Sequence, residues 1–458
     1  MKRFNLMMAV TGLLALPVLA GEARNVIIMV ADGTGYNTWL ATSMYQGRYD
    51  AATGRMKQEF TGPEWTALAC STYPLNIKNK PSGTEIQDPQ VVYDPAKAWN
   101  KAKPAQAEFD GYAWLKKTPT DSAAAATALG TGCKTYNAAI NWNDKNTRLL
   151  SIAEIARATG RSVGAITTVP ISHATPAALG GAHSPARDAY SKIANEQLTS
   201  TTLDVLMGAG HPAYDEDGAA AKLIKPKNYD YVGGQETWKQ LVAGTHPGAW
   251  TLIQDREQFR KLADGPAPKR LLGVGKAAST MQCNRKPKTP RRQDVPTLAE
   301  MSLAALNVLD DNPKGFYLLI EGGAVDWANH ANKGDRMVEE MDDYIQAVET
   351  VSARLDKGVG GCTWDNTLVI LIADHETGLI WGPDSQTIPY QPIVDNGAGK
   401  IPGLRYHSTH HSNSLIPVFV RGPGAATLKA AVKGTDPVRG PYVDNTDIFR
   451  LMKSAIEP

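Results

Sequence analysis

GFYLLIEGGAVDWANH, running from Gly315 to His330, decides the fold class. Its apolar half, residues 315–320, has the length and composition of a buried strand and gives out at Glu321. Asp326 and His330 then stand four apart, which on a helix puts both on one face. A strand that delivers a carboxylate at its carboxyl end and passes straight into a helix is half of a βαβ unit. The pattern recurs at LVILIA, residues 368–373, which ends directly in Asp374 and His375. Polar loops after buried strands are the plain alternative. Carboxylates and imidazoles delivered at two strand ends are also the donors that a zinc site needs.

Working outward, strand-like and helix-like stretches alternate. Residues 25–31 and 162–168 read as buried strands. Residues 122–129, 149–159, 297–309 and 335–355 carry helical spacing. The expectation is an α/β fold: a mainly parallel central sheet with helices on both faces, in three α/β/α layers. In such folds ligands gather beyond the carboxyl ends of the strands. No linker divides the chain, so residues 21–458 are expected to form a single domain. Surface insertions are expected near 76–112 and 215–268, where Pro, Gly and charge accumulate.

A net charge of +2 over 458 residues gives no reason to expect nucleic acid or an anionic membrane as partner. The one basic run, residues 285–292, holds two prolines and no aromatic residue and reads as a solvated loop. Lys2 and Arg3 precede a mostly apolar stretch over 6–19 that closes on Val18-Leu19-Ala20. This is the form of a secretory signal peptide cut after Ala20, so a periplasmic or secreted protein is expected. No later stretch reaches the ~18 apolar residues of a membrane span. Cys70, Cys133, Cys283 and Cys362 contain no C-x-x-C pair. In an exported chain they are expected to form structural disulfides, in one of three pairings the sequence leaves open.

Two further motifs add to the site. Asp32 ends the first strand and opens Asp32-Gly-Thr-Gly35, which is also an ordinary turn. Ser122 precedes an alanine-rich helical run. It would sit at a helix N-terminus, where free N–H groups and the macrodipole favour an alkoxide or phosphate. An N-cap serine gives the same pattern.

Taken together, IIMVADGTG (27–35), TDSAAAATALGTG (120–132), HATPAAL (173–179), EGGAVDWANH (321–330), ADHETG (373–378) and HHSNSLIPVFVRGPG (410–424) resemble the alkaline phosphatase family over nearly the whole mature chain. The resemblance implies hydrolysis of small-molecule phosphate monoesters through a phosphoseryl intermediate, at a site holding two zinc ions and one magnesium ion. It implies Ser122 as nucleophile. Asp32, Asp374 and His375 would hold one zinc, and Asp326, His330 and His411 the other, with His410 the alternative for the last. Asp32, Thr175 and Glu321 would hold magnesium. Arg187 matches the phosphate-binding arginine, with Asp121 orienting it or merely serving as a first-turn acid. One bacterial branch has aspartate at the position of His173 and lysine at that of Trp327. Here both are expected beside the third metal without ligating it. His183 and His211 are expected to be solvated. Many relatives are dimers, but the family's enlarged crown insertion falls between His375 and His411, only 36 positions apart here, so a homodimer would use other surface.

Overall fold

The computed structural model describes residues 23–457. The expected export signal, residues 1–20, lies outside them. Strand β1 (Asn25–Ala31) sets the architecture through its alternation. Val26, Ile28 and Val30 belong to one buried cluster, whereas Ile27, Met29 and Ala31 belong to a second. A strand with two apolar faces must be covered on both.

The other strands of its sheet, among the described residues, are β2 (Thr66–Ser71), β3 (Ser162–Pro170), β4 (Val205–Ala209), β5 (Thr251–Ile253), β6 (Leu271–Val274), β7 (Phe316–Gly322), β8 (Thr367–Ile372), β9 (Ile416–Arg421), β10 (Gly434–Asp436) and β11 (Gly440–Asp444). Their order is β10-β11-β2-β9-β8-β1-β7-β3-β4-β6-β5. Pairing is parallel from β8 through β1 to the β5 edge. Strand β9 is antiparallel to both its neighbours, and β11 lies parallel to β2.

Helices cover both faces. On one side, α1 (Tyr36–Tyr45), α6 (Leu298–Leu309), α7 (Ala324–His330) and α8 (Gly334–Asp356) bury Trp39, Met301, Val325 and Met341 against the sheet. On the other side, α2 (Ser122–Thr131), α3 (Ile152–Ala158), α4 (Ala174–Leu179), α5 (Tyr190–Thr199) and α9 (Asn445–Ile456) bury Leu129, Ile155, Leu179, Ile193 and Leu451. All ten residues of α2 are buried, and its alanines let α4 and α9 approach closely.

Four expectations need correction. The stretch 215–268 is not all insertion, because it supplies edge strand β5. The four cysteines are free thiols. Cys70 lies in the cluster on one face, Cys283 and Cys362 lie in the cluster on the other, and Cys133 is exposed beyond α2. The basic run is not a solvated loop throughout: Arg285 is 4% exposed and pairs with Glu339 at 2.5 Å, and buried Arg292 pairs with Asp294 at 2.6 Å. His183 and His211 are buried, their rings hydrogen-bonded to Glu196 and Gln254. Among the described residues no helix is long and apolar enough to cross a membrane.

Candidate active site

Register places the site. Val30 pairs with Glu321 on one side and with Ile372 on the other. Asp32, Glu321 and Asp374 therefore leave three adjacent central strands at nearly one level, and Asp326 follows on α7. None of these four carboxylates is more than 5% exposed. Gly33 makes the convergence possible. Its φ is +71°, and a Cβ there would stand 2.6 Å from Asp326 Oδ1, while its N–H donates to Asp374 Oδ1 at 3.1 Å.

Burial, then repulsion from neighbouring carboxylates, raises Asp32 far above the usual range. The same causes push Asp374 up to about 7 and Glu321 to about 8. Asp326 goes the other way: burial would raise it, but His330, His411 and His375 hold it well below a normal carboxylate. Both Asp32 oxygens, Glu321 Oε1, Asp374 Oδ2 and the Thr175 hydroxyl are buried without a hydrogen-bond partner. Buried carboxylates without donors are paired or coordinate metals. Asp32, Thr175 and Glu321 form an all-oxygen set, which suits a hard cation such as Mg²⁺.

The histidines add nitrogen donors. His411 Nδ1 lies 2.8 Å from the Thr120 carbonyl and His330 Nδ1 2.6 Å from that of Thr409. A carbonyl only accepts, so both Nδ1 atoms carry protons, and in its neutral form each ring offers a lone pair at Nε2. The two Nε2 atoms face each other at 3.0 Å, beside Asp326 at 3.3 and 3.6 Å. Lone pair against lone pair is repulsive unless a cation or proton lies between them. His375, fully buried, stacks on His411 with ring centroids 3.6 Å apart. Its Nε2 is 3.1 Å from Asp374 Oδ2 and 3.7 Å from Asp32 Oδ1. Among the described residues, two donor triads are compact enough to hold an ion: Asp32, Asp374 and His375, the set grouped from the sequence, and Asp326, His375 and His411. The expected partner His330 is adjacent to the second.

Ser122 is the first residue of α2, not its cap. Asp121 caps the helix, its Oδ1 accepting from Ala124 N at 2.9 Å, a contact worth ~1 kcal/mol. The serine hydroxyl is left to face His375 Nε2 at 3.2 Å. Asp121 Oδ2 accepts from Arg187 at 2.9 Å, and Asp121 itself is the N-cap rather than a first-turn acid. Ser122, Arg187, His173, Trp327, His330 and His411 line one cleft of about 570 Å³. His173 is buried with no partner for Nδ1, its ring 5.6 Å from that of Trp327. Burial, with Arg187 nearby, lowers its pKa to about 3, so it stands neutral.

Sequence reasoning missed the residues that aim these groups. Thr377 donates to Asp326 Oδ1 at 2.6 Å, and Thr167 donates to Glu321. Thr377 lies inside the quoted ADHETG, so its motif was available. Thr167 has no local signal, because only the pairing of β3 with β7 brings it opposite Glu321.

The family model described as alkaline phosphatase matches residues 95–398. The chain belongs to the alkaline phosphatase family. It is 35% identical over 267 residues to alkaline phosphatase 4 of Bacillus subtilis, covering 57% of this chain and 50% of that protein. It is 29% identical over 401 residues to the alkaline phosphatase of Escherichia coli K12, covering 78% and 79%. The chain thus spans about half the length of the first relative, and 62% of alkaline phosphatase 3 of B. subtilis. The fold is shared with the alkaline phosphatase of the Antarctic bacterium TAB5, with a TM-score of 0.61 and 23% identity over 95% of this chain and 98% of that one.

Proposed function

We propose that this alkaline phosphatase family member hydrolyses phosphate monoesters to an alcohol and inorganic phosphate through a phosphoseryl intermediate on Ser122. The observation that carries this reading is the Ser122 hydroxyl, 3.2 Å from His375 Nε2 within a ring of buried, donor-poor carboxylates. Asp32, Asp374 and His375 would hold one zinc ion and Asp326, His330 and His411 a second. Asp32, Thr175 and Glu321 would hold magnesium. In two histidine variants of the TAB5 enzyme, magnesium is bound in a site named M3. When bound, such ions lower the pKa of a hydroxyl or water and neutralise charge on the attacking and departing oxygens.

The chain's own residues do the rest. Arg187, fixed by Asp121, presents a planar fork to two phosphoryl oxygens. The start of α2 adds free N–H groups that favour the anion. Ser122 Oγ attacks phosphorus, the ester oxygen leaves, and the alcohol departs. Water then attacks the phosphoserine from the vacated side, restoring the serine hydroxyl and releasing phosphate. His173 and Trp327 wall the cleft without supplying charge. The N-terminal stretch has the form of an export signal, which supports action in the periplasm or outside the cell.

Ser122→Ala should lower kcat for p-nitrophenyl phosphate by several orders of magnitude and abolish phosphoenzyme trapping at acid pH, with metal content kept. A trapped adduct of undiminished amount in that variant would refute the assignment. In the unaltered protein, faster cleavage of bis-p-nitrophenyl phosphate than of the monoester would make it a diesterase instead.

A further inference from the structure

The cleft serves two ends of a substrate, and only one has been accounted for. Of its lining residues, His173, Trp327, Ala331 and Asn284 take no direct part in handling the phosphoryl group, the nucleophile or a cation. Asn284 is the only polar one whose side chain is exposed. One amide hydrogen goes to Ser279 Oγ at 3.0 Å, and its carbonyl oxygen accepts from no other described residue.

The segment that carries Asn284 is braced on both sides. Asn284 N donates to Thr280 Oγ1 at 2.9 Å, and Met281 N to the Thr168 carbonyl at 3.1 Å, tying the segment to the end of β3. Buried Arg285 next to it forks onto Glu339 and donates to the carbonyls of Gln282 and Pro290 at 3.0 Å. One charge of the basic run, that of Arg285, thus braces the turn that holds a neutral amide at the cleft. A polar group fixed before substrate arrives costs little further ordering on binding.

We infer that Asn284 is a specificity-determining residue that hydrogen-bonds the leaving alcohol and favours phosphate monoesters of hydroxyl- or amine-bearing alkyl alcohols over plain aryl esters. This rests on the monoesterase reading above. An amide that donates and accepts suits a hydroxyl or amine near the ester oxygen, whereas a phenyl ring offers nothing there. Trp327, lining the same cleft, supplies an apolar wall.

Inorganic phosphate has no leaving group, which separates the two ends of the cleft. In the metal-loaded enzyme, Asn284→Ala should leave inhibition by phosphate within about twofold. It should lower kcat/KM for glycerol 2-phosphate about tenfold more than for p-nitrophenyl phosphate. Asn284→Asp should raise the kcat/KM ratio of phosphoethanolamine to 3-phosphoglycerate by about tenfold, by adding a negative charge. Equal losses on all substrates, or a phosphate inhibition constant that moves as far as kcat/KM, would overturn the inference. Absence of monoester turnover in the unaltered protein would overturn the parent reading and this one with it.

Discussion

His410 and His411 are neighbours in sequence with opposite surroundings. His410 is exposed, and its ring lies 6.3 Å from that of His330. His411 is held by the Thr120 carbonyl and turns Nε2 toward His330 and Asp326. Removing His411 deletes a nitrogen that has no substitute in reach. His411→Ala should therefore lose about one zinc ion per chain and most of the activity, whereas His410→Ala should keep both. Metal content of the two purified variants, measured by mass spectrometry, checks this; the reverse ranking would move the ligand to His410. At this scale the sequence was most legible, because the expected ligands fall in short motifs whose residue types have few other uses at strand ends. Thr167 and Asn284 were not legible. A threonine in a strand and an asparagine in a loop acquire their positions from distant segments, through β3–β7 pairing and the Arg285–Glu339 brace.

Among the elements, α3 and α5 are clamped by His183, a side chain with no expected role. His183 Nδ1 is 2.9 Å from Glu196 Oε1 on α5, and Nε2 is 3.4 Å from Glu154 Oε2 on α3. Arg148 also reaches Glu196, at 3.4 Å. Burial opposes the charged ring, but the two carboxylates outweigh it and lift its pKa to about 9. A pKa raised above the unfolded value of ~6.5 stabilises the fold fully below that pH. The stabilisation, on the order of a few kcal/mol, fades as pH rises through about 9. Thermal melting across pH 6 to 10 should thus show a steeper alkaline fall for the unaltered protein than for His183→Gln. Parallel curves would show that the ion pairs contribute nothing. The loop in question leads within four residues to Arg187, so its loosening should also weaken phosphate inhibition. Element existence was readable from period: β1 and α6 fall within a residue of their expected limits. Edge strand β5 was not readable, because three residues carry no period.

For the whole molecule, a two-faced sheet separates the cysteines. Cys70 is sealed in one layer, Cys283 and Cys362 in the other, and Cys133 is on the surface. Composition and the expected export signal argued for bridges, since neither reports which side of a sheet a side chain faces. Neither the fold nor the site draws on a disulfide. The melting temperature and activity of the protein should therefore be the same with and without tris(2-carboxyethyl)phosphine, a reductant without thiols that would strip zinc. A drop of several degrees would reveal a bridge, because losing one typically costs ~2–5 kcal/mol.

Those free thiols bear on when and where the protein matures. A chain that needs no oxidant can complete its fold in a reducing or an oxidising compartment alike. On the proposed function, its competence then depends on the supply of divalent cations for four crowded carboxylates. On that proposed function, the compartment that provides those cations, not the one that provides oxidising power, would decide where phosphate is released.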